Sequence, residues 1–300
     1  MTSLGALDTF KFVLLHALAV IFSSFTYVCG AVPIMVIRQA YGRVGFFAGV
    51  TAASSLLFFL DHSFLAITFI GLALLVGIYS EMELGGATPA GAGLLSVLFV
   101  SGVSAIFSSV YVQYNQLSLV SVLRVKILEM LAQLRELNPN IQIEVDTVMG
   151  QLPSGILSVL IFALAISVIS YRSLAGLLRV DLRERFRSNL LTFELPNLCV
   201  WLTIIGIALV GLNLPSELYR LVGLNILNVM IVLYFFQGLA IVVSFFRAFR
   251  VSFFWQVTWM LLLIVQLFVV VSLIGFVDYW LDLRKRMYKR VAPSKVDKRA

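Results

Sequence analysis

Three amides are the residues best placed to do chemistry. In NILNVMIVLYFFQGLAIVVSFF (225–246), Asn225 and Asn228 stand three apart on one helical face, and Gln237, nine residues past Asn228, projects from the opposite side. An amide in hydrocarbon needs a hydrogen-bonding partner, on a neighbouring helix or in a bound solute. The three are therefore candidate solute contacts or candidate helix contacts. A second set lies in DYWLDLRKR (278–286). There Asp278 and Asp282 share a helix face four residues apart, and Asp282 stands four before Arg286, the spacing of a modest ion pair. Two carboxylates on one face can exchange protons with a substrate. Their place at the end of an apolar run favours a structural role: Tyr279 and Trp280 mark the headgroup level, and Arg284 and Arg286 lie beyond it.

Most other chemistry is disfavoured. The stretches 90–113, 154–171, 197–214, 221–246 and 251–277 contain no Asp, Glu, Lys, Arg or His, so a proton pump with a buried carboxylate relay is not expected. His16 is a lone histidine in the first apolar segment, and there is no H-E-x-x-H. GGATPAGAG (85–93) matches neither dinucleotide-binding nor Walker patterns, and reads as a helix start with Pro89 in its first turn. Cys29 and Cys199 lie in apolar segments without metal-ligand spacing and read as buried free thiols. No catalytic residue, metal or cofactor is expected.

These residues sit in a chain that is 61% hydrophobic and 12% charged over 300 residues, with a mean hydropathy of +1.01. That is an integral membrane protein, since soluble domains are about 45–50% apolar. A helical crossing takes about 20 apolar residues, and eight segments are candidates, near 10–34, 44–60, 64–80, 90–113, 154–171, 197–214, 218–246 and 251–277. The expected fold is an all-α polytopic bundle of seven or eight membrane segments with a first helix kinked at Pro33. Its parts are membrane helices over 1–113, an extramembrane segment over 114–152, membrane helices over 153–280 and a basic tail over 281–300. In the extramembrane segment Val120, Leu123, Ile127, Met130, Leu134 and Leu137 recur at spacings of three and four, one apolar face of a helix. After Asn138-Pro139, IQIEVDTV (141–148) alternates like extended chain.

The tail holds eight Lys/Arg and two Asp, six of the seven net positive charges. It predicts a cytoplasmic end beside anionic lipid headgroups rather than a nucleic-acid partner, because no soluble module accompanies it. The 172–190 loop, with five arginines, is cytoplasmic by the same rule. Three apolar segments separate the two regions, and three full crossings would put them on opposite sides. One of the three must then fail to cross fully, and Asn225 and Asn228 mark 218–246 as the place for a break.

Three stretches, FELPNLCVWL (193–202), NILNVMIVLYFFQGLAIV (225–242) and GFVDYWLDLRKR (275–286), together resemble the YybS-like family of bacterial membrane proteins. The resemblance covers the last third of the chain and implies a multi-pass protein of the bacterial plasma membrane, without implying an activity. The early proline-and-glycine layout is similar, at the level of fold, to the substrate-capture subunits of vitamin transporters and to a rod-shape membrane protein.

Two functions follow. One is capture or transport of a small solute, powered through a membrane-protein partner because the chain has no ATP-binding motif. The other is a membrane scaffold in cell-envelope assembly. A solute protein keeps a polar cavity near Asn225, Asn228 and Gln237, whereas a scaffold packs those amides against its own helices. The charge distribution makes a first prediction: single cysteines in the 172–190 loop and in the tail from Arg284 are labelled only from the cytoplasm. External labelling of either region would refute it.

Overall fold

The computed structural model describes residues 6–116, 118–140, 143–183, 193–212, 215–283 and 286. The chain is all-α, without a strand among the described residues, and divides into compact units over 1–187 and 188–300. The first unit holds α1 (Ala6–Phe25), α2 (Tyr27–Phe59), α3 (Ser63–Leu84), α4 (Pro89–Tyr114), α5 (Leu119–Leu137) and α6 (Val145–Leu177). The second holds α7 (Leu198–Gly211), α8 (Glu217–Ala248), α9 (Phe253–Val265) and α10 (Phe268–Leu281). Six helices, α1 to α4, α6 and α8, are long and apolar enough to cross a bilayer.

The first helix does not break at Pro33. Helix geometry fails instead at Thr26 (φ −146°, ψ 117°) and at Gly42 (φ 67°, ψ −170°), while α2 runs on through the proline. A proline forfeits one backbone hydrogen bond, which membrane helices tolerate. Gly42 has a positive φ that a side chain would resist, and there the chain turns back. Before it, Met35 meets Ser80 and Arg38 meets Glu81, so chain and α3 run together. After it, Arg43 meets Glu81 and Phe46 packs 3.3 Å from where a Cβ on Gly77 would stand, so they run oppositely. On the other flank the Tyr41 hydroxyl donates to the Asp8 carbonyl at 3.2 Å, and His16 packs against Gly49. What read as segments 10–34 and 44–60 is thus three passes: α1 and two antiparallel halves of α2. At 1.5 Å per residue the halves are about 22 and 26 Å long.

Serines lie between these passes without disturbing them. Ser80 donates to the Val76 carbonyl at 2.7 Å, Ser96 to Ala92 at 2.6 Å and Ser167 to Leu164 at 2.7 Å. Each hydroxyl is satisfied by its own helix, and its small size lets neighbours pack closely. α4 begins as its sequence indicates: Pro89 opens it, and the Thr88 hydroxyl accepts from the Gly91 amide at 3.2 Å.

The amphipathic helix carrying Val120 to Leu137 is present as α5, but less of its apolar face is covered than the spacing implies. Ile127 and Leu131 are buried against the bundle, whereas Val120, Met130, Leu134 and Leu137 are exposed. α6 reaches only one flank of that face. The Arg124 guanidinium pairs with Asp146 at 3.0 Å, and Arg135 donates to the Ile143 carbonyl at 3.0 Å, which ties α5 to the start of α6. The expected extended stretch does not persist either. Residues 141–142 lie outside the described residues, and Val145–Val148 already form the first turn of α6. Asp146 in that turn complements the positive helix end, a stronger local preference than a few alternating residues.

In the second unit Asn225 and Asn228 do not break their helix, and α8 is continuous from Glu217 to Ala248. The Asn225 amide donates to the Leu221 carbonyl at 2.9 Å, so it is satisfied along its own helix. The break lies in the next segment, where α9 and α10 are bent by 97°.

Burial on α5 yields a second prediction. Ile127→Asp or Leu131→Asp should destabilise the purified protein by roughly 2–4 kcal/mol, the cost of placing an unpaired carboxylate in a packed face. Ser121→Asp and Gln133→Asp, at exposed positions, should change it by about 0.5 kcal/mol or less. Thermal unfolding in micelles reads the difference, and equal tolerance at all four positions would refute the assignment.

Candidate functional site

Gln237 is the centre of the second unit. It is 4% exposed in the middle of α8, and both ends of its amide are engaged. Its Oε1 accepts from the Leu195 backbone N–H at 3.1 Å, and its Nε2 donates to the Gly275 carbonyl at 3.1 Å. One side chain thus joins α8, α10 and the non-helical strip 193–197 that leads into α7. The bond to Gly275 is reachable because the two backbones almost touch: a Cβ on Gly238 would collide with the Val271 carbonyl, and one on Gly275 with the Tyr234 carbonyl. Phe235 against Phe268, with centroids 4.3 Å apart, and Tyr234 edge-on to Phe276 at 5.2 Å close the crossing. Gly238, next to the amide in sequence, is what lets α10 approach.

A cavity of about 20 Å³ adjoins this crossing, lined by Glu194, Leu195, Val200, Tyr234, Gln237, Asp278, Tyr279 and Asp282. That is room for one water. Asn225 and Asn228, half-buried on α8, are twelve and nine residues from Gln237, or about 18 and 14 Å along the axis. The structure therefore does not bring the three amides into one site.

The DYWLDLRKR motif is partly reinterpreted. Asp278 is 6% exposed rather than at an open boundary. Its Oδ1 accepts from the Leu283 N–H at 2.8 Å, capping the turn by which α10 ends. Asp282 sits in the left-handed region (φ 46°, ψ 46°), so the helical run implied by the Asp282–Arg286 spacing is interrupted there; the Arg286 N–H donates to the Asp282 carbonyl at 3.1 Å. Tyr279 and Trp280 are exposed, as residues at the headgroup level would be. Arg284 lies outside the described residues.

A charged cluster in the first unit was missed. Arg38, 1% exposed in α2, places its guanidinium 2.6 Å from Glu81 Oε1, and Arg43 reaches the same carboxylate from beyond the Gly42 turn. The signal was present: two arginines flank a glycine, and SEMEL (80–84) ends the apolar run that follows. Beside Arg38, Gln39 is fully buried with neither side-chain amide atom hydrogen-bonded, while its backbone carbonyl accepts from the Arg183 N–H at 3.0 Å. His16 donates from Nδ1 to the Phe12 carbonyl at 2.8 Å, leaving Nε2 buried and unbonded against Gly49. Both cysteines are free; Cys199 is buried, but Cys29 is exposed, contrary to expectation.

Long apolar helices, with polar side chains satisfying backbone groups inside each unit, define a polytopic helical membrane protein. The chain belongs to the family described as "Predicted membrane protein (DUF2232)", whose family model matches residues 9–279. No curated protein and no solved structure matches it.

The geometry at Gln237 gives a third prediction. Gln237→Leu should cost roughly 1–3 kcal/mol, because it leaves the buried Leu195 N–H and Gly275 carbonyl without the side chain that satisfies them. Asn225→Leu removes a bond to its own helix at a half-buried position and should change stability by less than Gln237→Leu does. Equal melting of the two variants would show that the amide does not hold the crossing.

Proposed function

We propose that this protein is a non-enzymatic scaffold of the bacterial plasma membrane, of the YybS-like kind that its last third resembles, and that it presents its surface to partners rather than enclosing a solute. The observation that carries this reading is the use made of Gln237. The side chain best placed to contact a solute at mid-membrane is engaged at both ends by the protein's own backbone. Small-molecule pockets are usually about 300–1,000 Å³, and the cavity at Gln237 is about 20 Å³. Asp278, which lines the same cavity, is likewise engaged by backbone and caps the exit turn of α10.

The alternative of solute capture makes a different demand on α8, and that difference is the test. In a strain that depends on this protein, Asn225→Leu combined with Asn228→Leu should preserve function and melting. Gln237→Leu should reduce function only in proportion to lost folded protein. A double asparagine variant that melts normally but no longer supports function would overturn the scaffold reading in favour of a solute site.

A further inference from the structure

Three helix ends of the first unit meet at one place. α1 contributes Asp8 and Lys11 from its first turns, the first half of α2 contributes Ala40 and Tyr41, and the chain leaving α6 contributes Val180, Asp181 and Arg183. They surround an open groove of about 220 Å³. Its walls are fixed by bonds between the elements: Lys11 Nζ donates to the Arg179 carbonyl at 2.5 Å, the Arg183 N–H to the Gln39 carbonyl at 3.0 Å and the Tyr41 hydroxyl to the Asp8 carbonyl at 3.2 Å. These contacts use backbone acceptors, and among the described residues no salt bridge joins the four charged side chains of the groove.

The groove lies where apolar helix gives way to polar chain. α1 enters its membrane span at Leu7, α6 leaves its span at Leu177, and Tyr41 is an aromatic of the kind found at headgroup level. Two cations and two carboxylates share it with a phenol and two small apolar side chains. A purely anionic ligand would meet Asp8 and Asp181 unfavourably, and a purely cationic one would meet Lys11 and Arg183. A zwitterion satisfies both pairs.

We propose that this groove binds a phosphoethanolamine group, supplied by a membrane phospholipid. Lys11 and Arg183 take the phosphate, and Asp8 and Asp181 take the primary ammonium. The ammonium distinguishes this headgroup from phosphocholine, because its three N–H donors can bond to carboxylates, whereas a quaternary ammonium has none. The alkyl chains would lie along the apolar surface of α1, where Phe10 and Val13 are exposed.

The test uses the full chain reconstituted in nanodiscs containing equal parts of phosphatidylethanolamine, phosphatidylcholine and phosphatidylglycerol, then released and weighed by native mass spectrometry with its retained lipid. Phosphatidylethanolamine should be retained over each of the others by about tenfold or more, the scale of one charge-assisted hydrogen bond. Asp8→Asn with Asp181→Asn should abolish the preference over phosphatidylcholine, and Lys11→Gln with Arg183→Gln should reduce retention of all three. Asp181→Asn alone, outside any helix, should weaken the preference without a change in melting, which separates lost binding from lost fold. Equal retention of ethanolamine and choline lipids by the parent would overturn the proposal, as would a preference that survives both aspartate substitutions. Complete displacement of the lipid by soluble glycerophosphoethanolamine would refute a lipid source and indicate a soluble ligand.

Discussion

The first unit depends on one electrostatic constraint: a buried guanidinium has to be neutralised. Arg38 is almost wholly removed from solvent, and an isolated charge in that position would cost several kcal/mol. Glu81 supplies the opposite charge from α3 and also binds Arg43. Because Arg38 and Arg43 stand on either side of Gly42, one carboxylate clamps both limbs of the turn at the place where α2 reverses. The order of passes follows. With the two halves of α2 held against α3, α1 is left to pack along both, through Tyr41 on one half and Gly49 on the other. The pair contributes less to net stability than to which arrangement is chosen, since the desolvation of two ions offsets much of their attraction.

The second unit meets the same demand with neutral groups. α8 and α10 approach until backbone carbonyls face Gly238 and Gly275, a distance at which lipid is excluded and dispersion contacts accumulate. Contact of that kind does not by itself fix a rotation or a register. Gln237 does so, because its two ends have different hydrogen-bonding requirements and are met by different segments. A leucine of the same bulk would fill the space and specify much less.

The division between what the sequence shows and what it hides has a physical basis. Helices and their all-α membrane character are legible because about 20 apolar residues admit few other structures in a bilayer. The start of α4 is legible because Thr88 and Pro89 act locally. Breaks are harder to read. Pro33 and the asparagines of α8 look like interruptions but are absorbed within helices, while Thr26 and Gln266-Leu267 interrupt them with little local warning; Gly42 falls in the gap between the apolar segments 10–34 and 44–60. Which break occurs depends on contacts with other passes, such as Arg38 with Glu81, forty-three residues apart. The site shows the same pattern: the buried importance of Gln237 is visible in its sequence, but its partners at Leu195 and Gly275 are set by tertiary packing. The half-covered face of α5 differs from expectation for a similar reason, because heptad-like spacing says which residues can be buried and not how much of that face a neighbour covers.

Four polar side chains in this chain bond to backbone where regular helix ends. Lys11 bonds to the Arg179 carbonyl just past α6, Gln237 to the Leu195 N–H just before α7, Gln256 to the Val251 carbonyl between α8 and α9, and Asp278 to the Leu283 N–H just past α10. In water such backbone groups would bond to solvent, and interrupting a helix would be inexpensive. Near hydrocarbon each freed N–H or carbonyl needs a partner from the protein itself, so every interruption calls for a polar side chain within reach. This accounts for these four side chains at the helix interruptions. It also explains why they are mostly neutral or singly paired: one amide can satisfy a donor and an acceptor at once, without the desolvation cost of an ion.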